Sequence, residues 1–424
     1  PPPPCSSAAS DVYKRQGSAF LESIVSTESL INRNYGLNIS ISLIGARKGK
    51  VSGAPDIPVI ADIQELAMSD DVDVVVELIG GVDDAYKLAV SALKNKKHFV
   101  TANKALIAAH SKELFELAKK NQVHIGFEAS VAGGIPIIRT IRDGLICNQI
   151  NSFAGILNGT SNFIFSKMAD ENLSFDNALS LAQKEGFAEP DPSFDISGQD
   201  AAQKTSILAT LSFFQNSSME NVYFEGIDNI SPNDIDYGKQ LNFVLKPLSV
   251  GIKNKDQISL GSFPAFVKID SLLASIQNEN NAVLVNAENV GGTMYSGPGA
   301  GAKPTANSVL SDVIDIARGK IFDYGKFVEQ NLSSSFDNFS CDRYLKLQVN
   351  DKPGVVAKIS TLLAKNNLSI DNLIQKELER SDDQIPLVIV LSNSDETTIQ
   401  ETIKELEALD EVSGPLTHIR ILDI

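Results

Sequence analysis

Residues 72–102 read VDVVVELIGGVDDAYKLAVSALKNKKHFVTA. VDVVVELI (72–79) and HFVTA (98–102) are short, nearly continuous apolar runs, and a helical pattern near 84–95 separates them. Continuous rather than alternating apolar strands, each followed by a helix, describe parallel strands buried on both faces. The alternation extends both ways, with a helix near 18–33, ISISLIG (39–45) and a helix near 62–68 before it, and a helix near 110–120 and VHIGFEA (123–129) after it. The fold class is therefore α/β, a Rossmann-type doubly wound parallel sheet.

In such a domain the first strand is central and runs into a glycine-rich turn at the start of a helix. Residues 1–16, PPPPCSSAASDVYKRQ, contain neither an apolar strand nor a glycine, and Gly17 with SAFLESI matches only the last glycine of the turn and its helix. The segment is expected to be artefactual or disordered, leaving a strand slot unfilled.

The chain has 424 residues, 43% of them apolar, enough for two or three packed domains. No apolar run approaches the roughly 20 residues that span a bilayer, and no charged-then-apolar leader opens the chain, so a cytoplasmic protein is expected. A net charge of −16 argues against a nucleic-acid surface. Cys5, Cys147 and Cys341 have no metal-ligand spacing and are expected as free thiols, and the four histidines stand singly, which disfavours histidine catalysis.

Residues 186–204, GFAEPDPSFDISGQDAAQK, concentrate Glu189, Asp191, Asp195, Asp200 and Lys204 in one loop and the helix after it. At about 100° per residue, Lys204 lies near 40° from Asp200, with Ile207, Leu208 and Leu211 close by. Both charges thus continue an apolar stripe, while Ala202, Ser206 and Thr210 fall on the side expected to be solvated. A charged pair on a core-facing stripe points to a site, because burial of an ion pair is a poor route to stability.

The same segment resembles the signature of homoserine dehydrogenases. VVVELIGG (74–81), TANKALIA (101–108), FEASVAGGIPIIRTIRDGL (127–145), GILNGTSNFI (155–164) and SGPGAGAKPTA (296–306) resemble the family in the same order. The resemblance implies NAD(P)-dependent interconversion of L-homoserine and L-aspartate 4-semialdehyde. It makes Lys204 the acid/base, Glu189 and Asp200 the substrate-binding carboxylates, and Asp195 an orienting group. Lys104 is placed near substrate and cofactor, and Thr101, Gly186 and Gly301 near the nicotinamide. Glu128, Val131, Gly133 and Ile135 match a segment that holds a monovalent cation, and mostly carbonyl oxygens suit sodium rather than zinc.

Cofactor choice turns on the end of the second strand, where Arg47, Lys48 and Lys50 favour NADP over NAD, a basic loop suiting a 2′-phosphate. The expected boundaries are 17–131 plus about 304–326 for the dinucleotide domain, 132–303 for an α+β substrate and dimerisation domain, 327–342 for a flexible linker, and 343–424 for a C-terminal unit. That unit, with YLKLQVN (344–350), DKPGVVAKI (351–359), IPLVIVLS (385–392) and LTHIRIL (416–422), reads as βαββαβ and resembles a ferredoxin-like ACT domain. It is either a packing module or an effector site for an amino acid such as threonine. If the latter, its deletion should abolish regulation and spare catalysis. A homodimer or homotetramer is expected. Two other readings, an inactive amino-acid sensor and an ACT-bearing dehydrogenase of 2-hydroxy acids, remain. The carboxylates and lysines speak against the first, and the absence of a site-like histidine against the second.

Overall fold

The computed structural model describes residues 7–46, 56–320, 322–328, 332–375 and 384–424. The chain divides into two compact units, one of Pro1–Ser152, Gln203–Asn221 and Asn281–Leu332, the other of Phe153–Ala202, Val222–Asn280 and Ser333–Ile424.

In the first unit, strands Val74–Glu77, His98–Thr101 and Ile125–Gly126 pair in parallel in that order. Helices Asp83–Lys94 and Lys104–Asn121 follow the first two. The second helix starts six residues before the expected position, because the Asn103 side chain accepts a hydrogen bond from Leu106 N and caps it. The dihedrals leave the helical region only at His110, near the expected start.

The strand expected at 39–45 is reduced to Ile44–Gly45, which pairs in parallel with Val59–Ile60 in a separate two-stranded sheet. A doubly wound sheet places its first strand between the second strand and the strand that follows the crossover, so without one the ladder divides at that point. Among the described residues no strand joins the two sheets. Ile39 and Ile41 still pack, partly buried, on the cluster built from Phe20, Ile24, Ile31, Val309 and Val313.

Of residues 1–16, expected to be artefactual or disordered, 7–16 lie in one helix that runs from Ser7 to Tyr35, and 1–6 lie outside the described residues. No proline or glycine interrupts residues 7–16, so nothing stops the helix from extending back through them. Gly17 therefore lies inside a helix rather than opening one. Helix Ala302–Ala317 packs in the same unit, which takes in Asn281–Leu332.

The second unit is a mixed sheet with strand order 150–156, 243–254, 257–268, 412–422, 340–350, 384–395 and 370–375. Its last four strands, with helices Val355–Lys365 and Glu396–Glu407, form the expected βαββαβ unit. That unit is not a separate module on a free linker. Strand Val412–Leu422 pairs in parallel with Gln257–Lys268, and Ser333–Ser334 pairs with Gln257–Ile258. Long apolar strands with an open edge gain ladder bonds and burial by joining one sheet.

Candidate active site

The strand ends of the first unit are organised by Glu77. Its buried carboxylate accepts hydrogen bonds from Ile79 N at 2.8 Å, Gly80 N at 3.1 Å and the Thr101 hydroxyl at 2.6 Å. Thr101 Oγ1 accepts from Asn103 N, and Asn103 Nδ2 donates to Gly81 O at 2.6 Å. The Thr101 side chain, with no exposed surface, thus fixes two loops at the carboxyl edge of the sheet, where open α/β sheets collect ligands. Lys104, half-buried, is the first residue of the capped helix beside them. Gly301 precedes helix Ala302–Ala317 with φ +115° and ψ 150°, a conformation only glycine adopts without strain.

These loops suit the nicotinamide end of a dinucleotide, with backbone close to the sheet edge and a glycine at a helix start. The pyrophosphate turn does not appear among the described residues, since Gly17 lies within a helix. Arg47, Lys48 and Lys50 lie outside the described residues.

In the second unit the carboxylates converge. Asn158 Nδ2 donates to Asp195 Oδ1 and to Asp200 Oδ2, each at 2.8 Å, while its Oδ1 accepts from Ser161 N and caps helix Gly159–Glu171. One amide therefore holds two carboxylates as acceptors, offsetting their mutual repulsion. The Thr160 hydroxyl donates to Phe187 O at 2.6 Å, tying this helix start to the 186–189 loop. Gly186 caps helix Phe175–Glu185, and Glu189 is exposed on the loop after it. Asp195 belongs to a short helix, Ser193–Ile196, and buried Asp200 to the first turn of helix Gln199–Phe213. Half-buried Lys204 stands one turn further along that helix.

The amphipathic argument that singled out this helix fails in one respect. Ala202, Ser206 and Thr210, expected on a solvated face, are buried along with Ile207, Leu208 and Leu211. The helix is a central one, and its small polar residues bond inward: the Thr210 hydroxyl donates to Ser206 O at 2.9 Å and accepts from Ser217 N at 3.1 Å. Asn158 was missed within the quoted GILNGTSNFI; its signal is an asparagine set directly before a helix, the usual cap position.

The four residues proposed for a cation lie together in the first unit. Glu128, buried, accepts Ile138 N and Arg139 N, each at 2.9 Å, one on each carboxylate oxygen. Burial, and then the Asp312 carboxylate, push its carboxyl well above the ordinary range. Gly133 O accepts the Ser308 hydroxyl at 2.6 Å and Ile135 O accepts Ile137 N at 2.8 Å. Carbonyl oxygens retain a second lone pair, so these bonds leave them able to take a weakly held ion. Among the described residues no group of three or more His, Cys, Asp or Glu is arranged for a metal. Cys147 and Cys341 are free thiols.

A parallel nucleotide-type sheet, paired carboxylates one turn before a lysine, and a ferredoxin-like unit together define a nicotinamide-dependent dehydrogenase carrying an ACT domain. Family profiles agree: the homoserine dehydrogenase NAD-binding domain matches residues 17–128, homoserine dehydrogenase residues 136–314, and the ACT domain residues 343–411. The homoserine dehydrogenase of Pseudomonas aeruginosa is 40% identical over 405 residues, 92% of this chain and 93% of that protein. That of Helicobacter pylori is 39% identical over 407 residues, 96% of each. Among solved structures, a homoserine dehydrogenase from Thiobacillus denitrificans superposes with a TM-score of 0.91 at 35% identity, covering 96% of each chain. A hyperthermophilic archaeal homoserine dehydrogenase in complex with NADPH gives a TM-score of 0.62 at 27% identity, covering 72% of this chain and 95% of that one. The chain belongs to the homoserine dehydrogenase family: it is an NAD(P)-dependent oxidoreductase that interconverts L-homoserine and L-aspartate 4-semialdehyde, and an inactive sensor is not favoured.

Proposed function

We propose that Lys204 is the acid/base of this reaction, that Glu189 and Asp200 are the carboxylates that bind the substrate, its ammonium included, and that Asp195 orients the lysine or the substrate hydroxyl. The observation that carries this reading is the Asn158 amide holding Asp195 and Asp200 together one helical turn before Lys204. In the oxidative direction Lys204 Nζ takes the hydroxyl proton as the carbinol carbon loses its hydride, and in the reductive direction it returns that proton. The nicotinamide, when bound, supplies the hydride acceptor or donor. Lys104 carries the substrate carboxylate, and Thr101, Gly186 and Gly301 shape the backbone around the ring.

The cofactor is NADP(H) in preference to NAD(H), through Arg47 and Lys48; a related archaeal enzyme is solved with NADPH. A sodium ion held by Glu128 and the carbonyls of Val131, Gly133 and Ile135 plays a structural part, which the gathering of these four buried residues in one short segment supports. The C-terminal unit, residues 343–424, senses an amino acid such as threonine, and the enzyme works in the cytoplasm as a homodimer or homotetramer. Residues 17–131 and about 304–326 carry the dinucleotide, and 132–303 the substrate.

The test is an absorbance assay at the nicotinamide band with homoserine. Lys204→Ala is expected to lower kcat by about two to four orders of magnitude with cofactor affinity nearly intact. Unchanged kcat would remove Lys204 from the mechanism. Neutralising Arg47 and Lys48 is expected to weaken NADPH more than NADH; equal losses would make the loop ordinary surface.

A further inference from the structure

Two arginines of the C-terminal unit, Arg343 and Arg420, have no exposed surface. Glu396 joins them, accepting from Arg343 Nη1 at 2.8 Å and from Arg420 Nη2 at 2.6 Å. Arg343 is completed by Ser394 O and Phe339 O. Arg420 reaches further. Its Nη1 forms an ion pair at 2.9 Å with Glu225, which lies outside the C-terminal unit, and its guanidinium stands over the rings of Phe263 and Tyr223, 4.4 and 4.9 Å from their centroids. The Tyr223 hydroxyl is hydrogen-bonded to the same Glu225 carboxylate.

Glu225 is also where the backbone meets the carboxylate loop. Its N–H donates to Ser262 O at 2.9 Å, fixing it to the sheet, and Ile227 N donates to Ile196 O at 2.9 Å. A Cβ at Gly198 would stand 2.7 Å from Glu225 O. Gly198 has φ +86°, and its carbonyl accepts Ala202 N to open the helix that carries Asp200, while its N–H donates to Asp195 O. The 196–198 turn between the two carboxylates thus rests on the 225–227 backbone, whose side-chain anchor is Arg420.

We propose that Arg420, Glu396 and Glu225 are positioning residues for substrate binding: the C-terminal unit holds, through Glu225, the turn that sets Asp195 and Asp200 beside Asn158. The ACT-like unit is then a working part of the substrate site, whatever effector it takes. This rests on the reading that those carboxylates bind the substrate.

The experiment compares Glu225→Gln with Lys346→Met in the full chain. Lys346 also ties the C-terminal unit to the rest of the second unit, through Asp234 at 2.7 Å, on a segment that shares an apolar cluster with Ile196 but is not the 225–227 backbone bonded to the turn. Glu225→Gln keeps the side-chain volume and leaves Arg420 its bond to Glu396, so the fold should survive; a melting curve checks that. The KM for homoserine is expected to rise about three- to tenfold, with the KM for NADP and the melting temperature little changed. Glu225→Asp should recover part of the loss. Lys346→Met should lower the melting temperature without moving the homoserine KM. An unchanged homoserine KM in Glu225→Gln, or an equal rise in Lys346→Met, would overturn the positioning role while leaving the functional reading intact. A wild-type chain that fails to turn homoserine over would remove both.

Discussion

Asn158 shows how one side chain sets the chemistry available to two others. Its amide donates to both Asp195 and Asp200 and its carbonyl caps a helix. Charge-assisted hydrogen bonds contribute roughly 1.5–3 kcal/mol each. Asn158→Ala is therefore expected to raise the homoserine KM at least about tenfold and to cost about 1 kcal/mol through the lost cap. Steady-state kinetics and a denaturant titration check the two effects separately. His124 offers a different residue-scale test. Burial pushes its imidazole down to about 3, so the folded chain keeps it neutral where the unfolded chain takes a proton. Its stabilising contribution is complete above pH 6.5 and is lost as pH falls toward 3. Between pH 7 and 5 the wild type should lose about 2 kcal/mol more stability than His124→Gln, by denaturant midpoints at each pH. An equal loss in both would assign the acid sensitivity to carboxylates.

At the scale of elements, helix Gln199–Phe213 and the turn before it matter most. A helix buried on all sides cannot be placed by amphipathicity, and its polar side chains find partners within the unit. The turn depends on Gly198, where positive φ and the closeness of Glu225 O both exclude a side chain. Gly198→Ala is expected to cost roughly 1–3 kcal/mol and to raise the homoserine KM, measured by melting and kinetics. A melting temperature equal to wild type would show that the turn relaxes freely. The buried Asp312, Asp315 and Arg142, with half-buried Arg139, form a second element-scale device near Glu128, with Arg139 Nη2 3.1 Å and Arg142 Nη2 3.5 Å from Asp315. If sodium binds there, replacing it with choline at constant ionic strength should lower the melting temperature.

Two expectations concern the whole molecule. The first reverses the view that residues 343–424 can be removed without loss of catalysis. Strand Val412–Leu422 completes the sheet beside Gln257–Lys268, and Tyr344 and Lys346 pair with buried Asp234. Removing one partner of a buried ion pair costs about 3–5 kcal/mol, so a chain ending at residue 342 should lose activity and unfold at lower temperature. Full activity in that chain would restore the detachable-module view. The second concerns the divided parallel sheet. Replacing residues 1–16 with an apolar strand and glycine-rich turn should join the ladders at 44–45 and 74–77, raise the melting temperature and increase the gain from NADPH. An equal gain from NADPH in the unaltered chain would show that the divided sheet does not limit binding.

Local sequence was enough for the α/β class and the βαββαβ unit, because each depends on short-range signals, apolar runs and turns; charges crowded into one loop also drew notice to Asp195 and Asp200, which the fold brings to one amide. Residues 1–16, PPPPCSSAASDVYKRQ, hold no apolar alternation, and among the described residues no strand joins the two parallel ladders. Tertiary structure alone decided which groups meet. Asn158 and Asp195 are 37 residues apart, Arg343 and Glu396 53 residues apart, and no spacing rule links them. The helix of Asp200 and Lys204 looked one-sided in sequence because small polar residues read as solvated. In the fold they are buried, their hydroxyls bonded to neighbouring backbone, and only packing around the whole circumference could reveal it. The C-terminal unit looked separable for a similar reason: a Ser/Asn-rich connection reads as free chain, whereas strand pairing across more than 100 residues is a long-range choice made by burial and backbone hydrogen bonding.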